Sequence, residues 1–107
     1  MSTFADTLKR LPDCSHLACL ELLENGECVA RIENKPGQAG PLTVYAMLAD
    51  TYGCIDASAA AEGLLLYGEH TADALAHPGK HPNIDRLLSL QRGESRLEVR
   101  KTLKAAE

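Results

Sequence analysis

Two apolar runs, from Leu17 to Leu23 and from Cys28 to Ile32, are separated only by Glu24-Asn25-Gly26-Glu27. A two-residue hairpin loop of type I′ needs positive φ at both central residues, and Asn-Gly is the dipeptide that supplies it most readily. The chain is therefore expected to double back at Asn25-Gly26 as an antiparallel hairpin, and the rest of the fold must accommodate it. A uniform register from that loop sets Leu22 opposite Val29 and Leu20 opposite Arg31 on one face. The other face then pairs Leu23 with Cys28, Glu21 with Ala30 and Cys19 with Ile32. Both faces read as substantially apolar, which a hairpin with one solvated face does not need. The expectation is that one face packs on helices and the other meets a partner chain.

The flanking segments read mostly as helices. Phe4, Leu8 and Leu11 recur at helical spacing after a Thr cap, and Pro12 stops the run. The loop Asn34-Lys35-Pro36-Gly37-Gln38-Ala39-Gly40-Pro41 leads into a helix of about ten residues from Leu42 that ends at Gly53. Asp56 is placed to cap a longer helix through Glu62 to His77, stopped by Pro78-Gly79. Gly63 and Gly68 lie inside it, each costing about 1 kcal/mol against Ala, which suggests that another element approaches closely there. Pro82 sits in a first-turn position and Asp85 near the positive end of a further helix. From Ser95 to Leu103 the alternation of Leu97, Val99 and Leu103 suits a strand, although the Arg and Lys residues among them also suit a terminal helix. The fold class expected is α+β: a small antiparallel sheet built on the Asn-Gly hairpin, with three to four helices on one face. At 107 residues this is one globular domain, 1–107.

Composition narrows the function classes. Fifteen acidic against eleven basic residues give a formal charge of -4, with no basic cluster for phosphates, so no nucleic acid partner is expected. No apolar run reaches the length of a membrane span and the first residues do not read as a secretory signal, so the expected location is cytoplasmic. Cys14, Cys19, Cys28 and Cys54 form no C-x-x-C pair, and reduced thiols are expected.

Three of the four histidines fall within Glu69-His70-Thr71-Ala72-Asp73-Ala74-Leu75-Ala76-His77-Pro78-Gly79-Lys80-His81. On one continuous helix Glu69, His70, Asp73 and His77 lie within an arc of roughly 100°, and His81 can fold back toward it after the Pro78-Gly79 turn. Imidazoles with a carboxylate are a ligand set for a divalent transition metal such as zinc, which would make His70, Asp73, His77 and His81 the ligands and Glu69 a general base. The plainer reading is a solvated polar helix face, with His77 near the negative helix end and close to Asp73. A second candidate is the pair of loops Lys35-Pro36-Gly37 and Pro78-Gly79-Lys80. Each precedes a helix start where free N–H groups favour an anion, so Lys35, Gly37, Gly79 and Lys80 form a candidate anion site; ordinary turn chemistry explains the same residues.

The strings Asn34-Lys35-Pro36-Gly37, Val44-Tyr45, Glu69-His70-Thr71 and Pro78-Gly79-Lys80-His81-Pro82-Asn83-Ile84-Asp85-Arg86-Leu87 resemble a small bacterial family classed as a domain of unknown function. The resemblance runs from the N-terminal helix to the helix that begins at Pro82. It implies a bacterial cytosolic protein and brings no activity, substrate or cofactor with it. The functional expectation from the residues is a small binding or interaction module that forms a homodimer through the two-sided apolar hairpin. The alternative is a divalent-metal-dependent hydrolase or lyase built on the histidine-rich segment.

Overall fold

The computed structural model describes residues 3–93 and 95–105. In chain order the elements are α1 (Phe4–Arg10), β1 (Leu17–Glu24), β2 (Glu27–Glu33), α2 (Ala39–Tyr52), α3 (Ala57–Leu66), α4 (Glu69–Ala76), α5 (Pro82–Arg92) and β3 (Glu98–Leu103). β1 lies between β2 and β3 and is antiparallel to both. The architecture is α+β, with the segment after Ser95 contributing a strand.

The loop between β1 and β2 has Asn25 at φ 53° and Gly26 at φ 84°, with Glu24 paired to Glu27 and Leu23 to Cys28. Beyond those pairs the expected register does not hold. Leu22 pairs with Ala30, Glu21 with Arg31, Leu20 with Ile32 and Cys19 with Glu33, so Val29 is an extra residue on β2. The bulge has a physical reason: a uniform register would set Arg31 beside Leu20 in the core. One inserted residue turns Ala30 and Ile32 inward instead and leaves Val29 52% exposed. Arg31 then shares the outer face with Glu21, which also accepts two hydrogen bonds from Arg100 of β3, each at 3.1 Å. The outer face is therefore crossed by charge, and the reading of a hairpin apolar on both sides is corrected.

The inner face, with Leu20, Leu22 and Ile32, joins the main core. α2 lies against all three strands, and α3 packs on both α2 and α5. Leu42, Val44, Tyr45, Ala46 and Leu48 are all buried, so α2 is covered nearly all round, as a helix between a sheet and a second helical layer must be. Gly53 ends it in the left-handed region at φ 81°. No helix of the described residues is long and apolar enough to cross a membrane.

The long helix expected from Asp56 to His77 is two helices. Asp56 does cap the start, accepting a hydrogen bond from the Ala59 amide at 2.9 Å. Gly68, at φ 58°, then breaks the run between α3 and α4, a conformation that side chains with a Cβ seldom adopt. With that break the helices number five among the described residues rather than three to four. Gly63 does mark a close approach: a Cβ there would lie 2.8 Å from Leu48 Cδ1 and 2.9 Å from Leu87 Cδ1.

Both leucines are fully buried, so neither has free space to retreat into. Overpacking of this kind costs about 1–3 kcal/mol, against a helix-propensity gain of about 1 kcal/mol for Ala over Gly. Gly63→Ala should therefore lower stability by about 1 kcal/mol in urea unfolding. A variant as stable as the wild type would contradict the close approach of α2, α3 and α5.

Candidate functional site

The break at Gly68 and the turn at Pro78-Gly79 hold α4 as a short strut between two corners. Past its C-terminal end, Gly79 adopts φ 92° and donates its N–H to Asp85 Oδ2 at 2.9 Å, which ties the turn to the first turn of α5. His81 caps α5, and its carbonyl accepts from the Ile84 and Asp85 amides. Pro82 follows in the first turn, where its missing N–H costs nothing. The return brings His81 back onto α4. Its Nε2 lies 2.6 Å from Asp73 Oδ2, and Lys80 Nζ lies 2.9 Å from the same oxygen. His77 Nε2 is more distant, 3.8 Å from the other oxygen. The His81 and Lys80 hydrogen bonds hold the Asp73 carboxyl down at about 2.

A cavity of about 280 Å³ opens beside this cluster. Polar residues of its lining are His70, Lys80, His81 and Asn83, apolar ones are Phe4, Pro41, Tyr67 and Ile84, and Gly37 joins from the loop before α2. The His70 and His81 rings stand 5.7 Å apart. Behind the cavity Tyr45 donates its hydroxyl hydrogen to the Asn83 carbonyl at 2.6 Å, and Arg86 Nη1 donates to the Asn83 side chain at 2.8 Å. These bonds fix the start of α5 from the core side. Burial pushes the Tyr45 phenol up to about 12 and raises that of Tyr67 as well. The Tyr67 hydroxyl is buried and has no hydrogen-bond partner among the described residues.

Residues 4–101 match a family described as "Uncharacterized protein conserved in bacteria (DUF2322)". The chain belongs to that family. The match continues past Gly93 into β3, further along the chain than the sequence strings that carry the resemblance. No curated protein and no solved structure matches the chain.

In this DUF2322 member the proposed metal ligands do not come together as a ligand set. Among the described residues, no group of three or more His, Cys, Asp or Glu side chains is arranged to hold an ion. His81 and Lys80 take the Asp73 carboxylate, and an ammonium 2.9 Å from that oxygen opposes a cation there. His77 is largely exposed, while His70 faces the cavity with His81. Glu69 is not aimed at this cluster: its Oε1 accepts the Phe4 amide at 2.8 Å. The anion set divides. Gly37 and Lys80 do meet at one cavity, as two converging loops require. Lys35 instead pairs with Glu33 at 3.2 Å, and the Gly79 amide is occupied by Asp85.

Sequence reasoning reads Phe4 only as part of an apolar helical spacing and gives Tyr67, Asn83 and Ile84 no role in the site, although all four line the cavity. Asn83 and Ile84 stand immediately after the His81-Pro82 corner, which is the local signal that could have found them. The contact of α1 with α4 spans 65 positions and leaves no local trace.

Asp73 gives the cluster a pH signature. Its carboxyl is depressed from 3.8 to about 2, so the stability it contributes is present above 3.8 and is lost as the pH falls through about 2. Between those two values the thermal midpoint of the wild type should fall more steeply than that of Asp73→Asn, and the two should draw together below about 2. Parallel curves across that window would show that Asp73 carries no such linkage.

Proposed function

We propose that this protein is a small binding module whose cavity takes a small organic anion. The observation that carries the reading is the meeting of Gly37, Lys80, His70 and His81 at one cavity that Phe4, Pro41, Tyr67 and Ile84 also line. An ammonium has three N–H donors, and Asp73 uses one of those of Lys80. A neutral imidazole that donates Nε2–H to a carboxylate keeps Nδ1 as an acceptor, and a protonated one can donate from both nitrogens. Charge-assisted hydrogen bonds of this kind are stronger beside apolar walls than in water.

Self-association through the hairpin is no part of this reading, because the outer sheet face carries the Glu21–Arg100 ion pair. The divalent-metal alternative is not advanced either, since the geometry offers it no three-ligand set among the described residues.

The test is an NMR titration of ¹⁵N-labelled protein with a panel of small carboxylates and inorganic phosphate. Binding should shift the resonances of His70, Lys80, His81 and Gly37. Lys80→Ala should weaken it about tenfold, the loss of one charge-assisted contact. Shifts scattered over the surface, or none with any member of the panel, would overturn the reading.

A further inference from the structure

We infer that the anion this cavity selects carries a flat apolar ring, and that Phe4 is the residue that selects it. The inference rests on the binding reading above and names its ligand class. α1 contributes no fully buried residue; Phe4 packs half-buried against the edge of the core and lines the cavity as well. Three contacts hold it there. The Phe4 amide donates to Glu69 Oε1 at 2.8 Å, across from α4. The Phe4 ring stacks on Tyr67 with centroids 5.0 Å apart and planes at 20°, and it meets His70 edge-on at 5.2 Å and 87°. On its far side α2 presents Gly40, where a Cβ would come within 3.2 Å of Phe4 Cε2.

Tyr67 is only 3% exposed, so the aromatic surface left for a ligand belongs to Phe4, which is half-buried. Pro41 and Ile84 also line the cavity, as do Lys80 and His81. The same cavity thereby offers hydrogen-bonding partners to an acid group and apolar surface to a ring. About 280 Å³ is at the small end of ligand-cavity sizes, which suits one ring with its acid group and is short of a nucleotide. Aromatic rings add a geometric preference for a flat partner to the ordinary gain of apolar burial.

The probes are benzoate, cyclohexanecarboxylate and acetate, titrated by NMR into the wild type, Phe4→Ala and Phe4→Leu. Benzoate should bind the wild type about tenfold more tightly than acetate, with cyclohexanecarboxylate between them. Phe4→Ala should bring benzoate down to the level at which the same variant binds acetate. Phe4→Leu keeps apolar bulk on α1 and should remove the preference for benzoate over cyclohexanecarboxylate, with the thermal midpoint confirming a folded chain. Equal binding of benzoate and acetate by the wild type would overturn ring selection while leaving the anion reading intact. Binding of none of the three overturns both. An equal loss of benzoate and acetate in both variants would show that Phe4 only supports the fold, and would overturn its selecting role.

Discussion

The Asp73 carboxylate is the contact on which the arrangement of the site depends. Three segments converge on it: α4, which carries it; the Pro78-Gly79 turn, which delivers Lys80; and the cap of α5, which is His81. A carboxylate that accepts from an ammonium and an imidazole at 2.9 and 2.6 Å fixes where both groups sit. The same engagement gives the Asp73 carboxylate two nitrogen partners from the turn that follows α4. The cluster thus becomes one wall of a cavity, with His81 oriented from behind.

The core supplies the rigidity that this wall needs. α2 is buried on nearly every side, and its Tyr45 reaches through to the Asn83 carbonyl at 2.6 Å, so the start of α5 is held from the core as well as from Asp73. Gly63 allows α3 to approach Leu48 of α2 and Leu87 of α5 more closely than any larger residue would. α1 is held differently. It adds no fully buried residue, packs Phe4 and Leu8 against the core from outside, and is tied to α4 by the Glu69 carboxylate and to the rings of Tyr67 and His70. Phe4 brings α1 to the cavity.

Much of the fold is legible in the sequence because its signals are local. Thr3 and Asp56 announce helix starts, Pro82 opens α5, Gly53 closes α2, and the alternation of Leu97, Val99 and Leu103 marks the last strand. Gly63 reads as a close approach from its cost to a helix. The remainder depends on tertiary competition. Two residues at positive φ define a turn but not the register beyond it, and the bulge at Val29 follows from keeping Arg31 out of a core that the turn does not see. Gly68 looks like Gly63 in sequence; only the fold distinguishes a break from a contact. For the site, the segment from Glu69 to His81 and the convergence of Gly37 with Lys80 are legible. Which groups pair is not, because a carboxylate among two imidazoles and an ammonium reads equally as a metal ligand, an ion pair or a solvated face. Phe4 escapes for a different reason: its partner Glu69 is 65 positions away.

The central claim is that one cavity offers an acid group the Lys80–His81 side and a ring the Phe4 side. A crystal structure of the protein with bound benzoate tests it most directly. The account predicts the carboxylate within hydrogen-bond distance of Lys80 and His81, the ring against Phe4, and the Asp73–His81 pairing retained. Benzoate bound outside this cavity, or lodged in it with its carboxylate turned toward Phe4 and Ile84, would contradict the account.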